Sequence, residues 1–409
     1  MPRWILPLLI ASAFIFVLEF YAFQAIKTVT RNRMIKWFWL LIGILIYLNL
    51  LYVIFATPRS SGQTKEFQMA VGMLITILIP KVFILIVLFG EDVVRLCYKI
   101  ISWIGSSPTQ PIAGRRKFVS QLALILASIP FASFLYGIII GRYNYKVLKY
   151  QLFFDDLPEA FDGFTITQIS DIHSGSFTNK DKIQYGVDMI NEQNSDLLLF
   201  TGDIVNNKAT EMDDWIEMFG ALKAPYGKYS ILGNHDYGDY TSWSSETEKK
   251  ANFKAIKDLH PAMGFELLCN ENRYIEKDEK KISLIGVENW GKGGFKKKGN
   301  LLLASKGVKQ EDFKILMSHD PSHWDAKVKN DDFHYHLTLS GHTHGLQMGI
   351  EIPGWIKWSP SKYVYNQWAG LYQEFGRYIN VNRGFGYHAF PGRVGIWPEI
   401  TVIELKKSS

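Results

Sequence analysis

Phe164-Thr165-Ile166-Thr167-Gln168-Ile169-Ser170-Asp171-Ile172-His173 is a short apolar run that ends on a carboxylate and an imidazole. The same construction recurs downstream. Asp196-Leu197-Leu198-Leu199-Phe200 ends in Thr201-Gly202-Asp203, and Tyr229-Ser230-Ile231-Leu232 ends in Gly233-Asn234-His235-Asp236. Phe313-Lys314-Ile315-Leu316-Met317 ends in Ser318-His319-Asp320, and His336-Leu337-Thr338-Leu339 ends in Ser340-Gly341-His342-Thr343-His344-Gly345. Short apolar runs bounded by turn residues read as buried strands. Between them, Asp181 to Gln193 and Glu211 to Leu222 read as amphipathic helices. The fold class that follows is α/β, a sandwich beginning near Tyr143.

In such sheets ligands bind outside the carboxyl ends of the strands. Here those ends deliver Asp171, His173, Asp203, Asn234, His319, His342 and His344. Carboxylates, imidazoles and an amide crowded together call for a multivalent metal site. No cysteine joins them, which excludes a structural thiolate zinc site. Oxygen and imidazole donors suit Mn²⁺, Fe, Zn²⁺ or Co²⁺. Two cations close together can share a hydroxide and lower its pKa, and can neutralise a phosphate that bridges them. His235 stays off the metals in that scheme. It would donate to the phosphate or the leaving oxygen as general acid, with Asp236 fixing its orientation.

The spacing Asp-x-His, Gly-Asp, Gly-Asn-His-Asp, His, Gly-His-x-His resembles the calcineurin-like metallophosphoesterases, with all five blocks in order over residues 143–409. The resemblance implies a two-sheet αββα sandwich with two divalent metal ions, Mn²⁺ ahead of Fe, Zn²⁺ or Co²⁺. By carry-over, Asp171, His173, Asp203 and His344 hold one ion, and Asp203, Asn234, His319 and His342 the other, Asp203 bridging. The implied activity is hydrolysis of a phosphoester or pyrophosphate bond in a phosphorylated small-molecule or lipid substrate. Asn382-Arg383-Gly384-Phe385-Gly386, Pro391-Gly392-Arg393 and Trp397-Pro398-Glu399-Ile400 resemble the membrane-anchored branch described as transmembrane protein with metallophosphoesterase domain. That branch is similar to UDP-2,3-diacylglucosamine hydrolases of lipid A synthesis, which gives the alternative substrate. A non-catalytic metal- or phospholigand-sensing module is the alternative of another class. Two positions depart from the common pattern: Asn206 stands where many relatives carry Asp, and Leu346 follows Gly345 where Gly is common.

The amino-terminal third has a different texture. Trp4–Ile26, Trp37–Ala56, Gln68–Gly90 and Phe118–Gly141 are apolar and long enough to cross about 30 Å of hydrocarbon. The expected organisation is a four-helix transmembrane domain over 1–142 and the sandwich over 143–409. Residues 1–149 carry 16 Lys and Arg against four acids, and the remainder 29 against 35. The overall charge of +6 therefore belongs to the membrane connections, and nucleic acid is not an expected partner. Lys27, Arg31, Arg33 and Lys36 in the first connection, and Arg95, Lys99, Arg115, Arg116 and Lys117 in the third, place that side in the cytoplasm. The sandwich is then extracytoplasmic, on an inner or plasma membrane, although Arg142, Lys146 and Lys149 oppose this. Glu19 and Lys81 reach similar depth inside their spans, and an unpaired charge there is expensive, so they are expected to pair.

Arg383 and Arg393 are candidate phosphate ligands, since a guanidinium matches phosphate in a bidentate way; a structural ion pair is the competing role. The aromatic stretch Pro353–Gly370 reads as a lid packed on its own sandwich, with an apolar-substrate groove or a lipid-interface contact as alternatives. His334 and His336 are not expected to be ligands, and Cys97 and Cys269 are not expected to pair.

Overall fold

A computed structural model describes residues 5–58, 60, 62–104, 114–352 and 354–408. Trp4 and Pro353, used above as bounds, lie outside these residues. The chain forms two compact units, Met1–Thr57 with Glu66–Tyr136, and Pro58–Lys65 with Gly137–Ser409.

The first unit is built from α1 (Ile5–Val29), α2 (Arg33–Ala56), α3 (Lys65–Ile104) and most of α4 (Arg115–Ile139). All four are long and apolar enough to cross a membrane. Leu9, Phe16, Trp37, Leu48, Ile86 and Ile125 are exposed, an arrangement that only an apolar solvent favours. The third helix is longer than the apolar run that announces it. Its 40 residues reach about 60 Å at 1.5 Å per residue, so it continues well past Gly90. That extension carries Glu91 and Asp92, which pair with Arg116 on α4 (2.9 Å from Asp92). Inside the span, Lys81 pairs with Glu19, as the depth argument requires, and its ammonium lies 5.4 Å from the centre of the Trp39 ring.

The second unit contains β1 (Lys146–Phe154), β2 (Thr165–Ile169), α5 (Lys180–Asn191), β3 (Leu197–Phe200), α6 (Ile216–Gly220), β4 (Lys228–Ser230), α7 (Glu246–Ala262) and β5 (Glu266–Leu267). It continues with β6 (Glu271–Lys277), β7 (Lys280–Gly286), α8 (Leu301–Ala304), β8 (Lys314–Met317), α9 (Ser322–Ala326) and β9 (Leu337–Ser340). The last strands are β10 (Ile350–Ile352), β11 (Ile356–Trp358), β12 (Gly370–Glu374), β13 (Arg377–Val381) and β14 (Glu399–Lys407). One sheet has the order β1-β14-β2-β3-β4-β5 and the other β12-β13-β9-β8-β7-β6; β10 and β11 form a separate hairpin.

Alternation along the strands makes the layers. Leu197 and Leu199 face the core between the sheets, with Ile166, Ile315, Met317, Leu337 and Leu339. Leu198 and Phe200 face outward under Ile183, Val187 and Ile190 of α5, Phe219 of α6 and Ile256 of α7. Leu316 on β8 faces the opposite outer layer with Trp324 and Val328. The result is an αββα sandwich.

One helix departs from expectation. Glu211–Leu222 does not form a continuous helix but a 3-10 turn, Ala209–Met212, followed by α6. The Glu211 carboxylate accepts the backbone N–H groups of Asn206, Asn207 and Lys208 at 2.6 to 3.1 Å. It is committed to closing the loop after β3 rather than to a helical surface.

Candidate metal centre

The five candidate strands are β2, β3 and β4 in one sheet and β8 and β9 in the other. β2, β3 and β4 run parallel, as do β8 and β9. Their carboxyl ends are joined across the sandwich: Gln168 donates to the Ser340 carbonyl (2.8 Å), and His319 Nδ1 stands 2.7 Å from the Thr201 carbonyl. The loop after β2 is laced to the loop after β3, with the Asp171 N–H on Gly202 O (2.9 Å) and the His173 N–H on Asp203 O (3.1 Å). A Cβ at Gly233 would collide with the Asp203 carboxylate, so only glycine allows the β4 loop to close here.

The convergence strains the backbone. Asp171, His173, Asp203, His342 and His344 all have left-handed φ, between 48° and 73°. Each such residue costs of order 1 kcal/mol or more and persists where the surroundings over-determine it. Strain gathered on one cluster of polar side chains marks a functional site.

Among the described residues, three overlapping groups of potential metal donors result: Asp171, His173 and His344; Asp203, His319 and His342; and His173, His235 and His388. Asp203 Oδ2 lies 3.6 Å from His173 Nε2 and 3.2 Å from His319 Nε2, so it stands between them. Asp171 Oδ1 lies 3.3 Å from His344 Nε2. Asn234 is buried at the same loop cluster, its Nδ2 donating to the Tyr240 hydroxyl (2.9 Å) and its Oδ1 without a partner.

The donor set fits cations. The His319 Nδ1–H donates to the Thr201 carbonyl, which leaves Nε2 as a lone pair in the neutral ring. That nitrogen is buried, faces the Asp203 carboxylate and has no hydrogen-bond partner. His173 Nδ1 lies 3.1 Å from Asn206 Oδ1, and its Nε2 stands 3.1 Å from His344 Nε2. The two buried carboxylates, Asp171 and Asp203, are unfavourable there unless positive charge lies among them. Burial disfavours a charged His319, yet Asp203 and Asp171 outweigh it and push the imidazole up to about 10, so in this arrangement a proton rather than a lone pair fills the Nε2 position beside Asp203. Burial alone would raise the Asp203 carboxyl, but His319, His235 and His173 hold it well below the usual range. The pocket demands positive charge.

His235 is placed beside Asp203, its backbone N–H donating to Asp203 Oδ1 (2.8 Å). The role expected for Asp236 needs correction. Its carboxylate does not touch the His235 ring but accepts the backbone N–H groups of Asp203, Ile204 and Gly233 at 2.8 to 3.0 Å. It is therefore the brace of the loops that hold Asp203. His235 is oriented instead by the Asn206 carbonyl, 2.9 Å from Nδ1.

The arginines also need correction. Arg383 is buried, with its guanidinium committed to Glu399 and, at 2.5 Å, to Glu351. Arg393 is fully buried, donates to the Gly384 and Gly386 carbonyls, and lies 3.2 Å behind His344 Nδ1. Neither presents a free fork to a substrate phosphate. His336 pairs with Asp156 (2.7 Å), outside the cluster, and both cysteines are free.

Four neighbours were not singled out from the sequence as part of the site. His388 stacks on His173 (ring centres 4.6 Å apart), meets His235 edge-on and lies 3.1 Å from Asn206 Oδ1. Asp320 and the Tyr365 hydroxyl lie 3.4 and 2.9 Å from His342 Nε2. The Tyr240 ring packs on His235 at 4.4 Å. Only Asp320 carried a signal, its position directly after His319; the others arrive on loops without a strand-end pattern.

Comparison with known proteins agrees with this architecture. Residues 2–142 match the family model described as "Probable Calcineurin-like phosphoesterase, transmembrane domain", and residues 164–346 match "Calcineurin-like phosphoesterase". The metallophosphoesterase YkuE of Bacillus subtilis is 35% identical over 256 residues, 62% of this chain and 82% of its own length. The transmembrane protein with metallophosphoesterase domain of Danio rerio is 29% identical over 295 residues, 70% of this chain and 62% of that protein. A metallophosphoesterase of Aquifex aeolicus is 24% identical over 279 residues, 66% of this chain and 97% of its own length. The chain thus belongs to the calcineurin-like metallophosphoesterases, in the form that carries an amino-terminal four-helix membrane domain.

Proposed function

We propose that this membrane protein hydrolyses a phosphoester or pyrophosphate bond of a phosphorylated substrate, lipid-linked ones included, at a pair of divalent cations. Asp171, His173, Asp203 and His344 would hold one ion, and Asp203, Asn234, His319 and His342 the other. The observation that carries the reading is the placement of Asp203 between two imidazole groups, 3.6 Å from one and 3.2 Å from the other. Divalent ions bound there would supply charge neutralisation for the phosphate and a lowered pKa for the attacking water.

The chain's own groups do the rest. Asp236 fixes the backbone of Asp203, and His235 fixes its Oδ1. The Asn206 carbonyl takes the His235 Nδ1–H, so in the imidazolium form the Nε2–H is left to pass to the leaving oxygen. His235→Gln is therefore expected to lower turnover of an alkyl phosphodiester by about 10²- to 10⁴-fold. It should lower turnover of a nitrophenyl ester much less, because nitrophenolate leaves without a proton. Equal losses on both, with metal content unchanged, would remove His235 from proton transfer.

In this reading the sandwich lies outside the cytoplasm, because both basic connections lie on one side in a four-span count. Leu302, an exposed residue on α8, provides the test. A Leu302→Cys chain that also carries Cys97→Ser and Cys269→Ser should be labelled by an impermeant maleimide in intact cells. Labelling only after permeabilisation would reverse the orientation.

A further inference from the structure

The hairpin β10–β11 is assembled inside out. Its register pairs Ile350 with Trp358 and Ile352 with Ile356, which puts these four side chains on one face, and pairs Glu351 with Lys357 on the other. The polar face is the one fastened to the sandwich. Glu351 takes the Arg383 guanidinium at 2.5 Å, and Lys357 donates to the Ala369 carbonyl at 2.5 Å with its ammonium over the Trp368 and Tyr372 rings. Ile350, Ile352 and Trp358 are left exposed on the other face. Trp355 in the turn is 77% exposed, and Tyr363 and Val364 beyond the hairpin 74% and 72%. The aromatic stretch is thus divided. Trp368 and Tyr365 pack onto the domain as a lid would, whereas the apolar face of the hairpin and Tyr363 do not. An apolar face turned outward while its ion-pairing face is turned inward is a surface built for something apolar.

What covers it follows from its position. The last turn of α4, Gly137–Ile139, belongs to the second unit, and Ile139 and Ile140 are exposed there. The Gly137 carbonyl accepts the Arg393 N–H (3.1 Å). The next residue, Val394, accepts the Gly349 N–H (2.9 Å) at the foot of the hairpin and bridges to Met348. One segment of extended chain therefore separates the membrane exit of α4 from the hairpin, about 10 Å at ordinary strand spacing. Tryptophan, tyrosine and isoleucine beside basic residues, at that distance from a spanning helix, match the composition of a bilayer interface.

We infer that the hairpin β10–β11, with Tyr363 and Val364, docks into the lipid interface of the bilayer that α4 crosses. The metal-donor loop runs into the hairpin within a few residues, and Leu346, between His344 and Ile350 in the chain, is exposed. Docking would hold the cluster within a hairpin's length of the lipid headgroups, independently of which bond is cut.

The test uses the full chain in phospholipid nanodiscs, with Cys97→Ser and Cys269→Ser and a single nitroxide on Ile352→Cys or Trp355→Cys. Phe375→Cys is the control, exposed in the turn at the opposite end of β13 from the site. Labels at 352 and 355 should be relaxed by oxygen more than by a water-soluble nickel chelate, and the label at 375 the reverse. Nickel accessibility at 352 and 355 equal to that at 375 would overturn the docking. Turnover of a soluble nitrophenyl phosphodiester by the same chains reports separately on the hydrolase reading, so failure of one is not mistaken for failure of the other.

Discussion

Asp203→Asn should lower hydrolysis by about 10³-fold or more, roughly 4 kcal/mol of barrier, and should lower bound metal in parallel. The substitution keeps the shape of the side chain and its acceptor for the His235 N–H (2.8 Å), so the loop is expected to survive. It removes the negative charge that both imidazole groups share, 3.6 Å from His173 and 3.2 Å from His319. In the proposed arrangement, losing one bridging carboxylate would weaken two ion sites at once. Elemental analysis of the purified variant beside its turnover decides the matter. A variant that kept two ions and wild-type turnover would show that Asp203 is no bridge.

Lys81→Met should destabilise the helix bundle by about 3–5 kcal/mol, the cost of stranding a buried charge. Glu19 would lose the partner it has across the helices, and its second carboxylate oxygen already lacks one. Gly43 packs so closely on Glu19 that even a Cβ would collide with the carboxylate. Adding Glu19→Gln should return most of the loss, since the pair contributes less by existing than it costs when broken. Unfolding of the variants in mixed detergent micelles measures both steps. Equal stability of Lys81→Met and wild type would mean the pair is not buried in the folded membrane domain.

Much of this was legible because a strand end is a local signal. The run Leu197–Phe200 announces both of its faces by alternation, and the next residues, Gly202 and Asp203, must emerge at its carboxyl end whatever the rest of the chain does. The seven candidate donors converge for that reason. Partnerships made across long stretches of sequence were not legible. Arg383 looks like a phosphate ligand until the fold brings Glu399 and Glu351 to it. Asp236 is adjacent to His235 in sequence, yet its carboxylate turns back to three backbone N–H groups that only the folded loops present. His388 reaches His173 and His235 from a loop with no periodic pattern to announce it. The alternation Ile350-Glu351-Ile352 would ordinarily place isoleucine inward; the reversal is dictated by Arg383, which no local pattern shows.

The most direct test of the central claim is a metal titration of the stripped 409-residue chain. Mn²⁺ is added in known equivalents while turnover of a nitrophenyl phosphodiester and bound metal are followed together. Hydrolysis that rises with occupancy and saturates at two ions per chain is the result expected from a carboxylate shared by two imidazole groups. Binding of two ions with no hydrolysis of any phosphate ester, for Mn²⁺, Fe²⁺, Zn²⁺ and Co²⁺ alike, would contradict it.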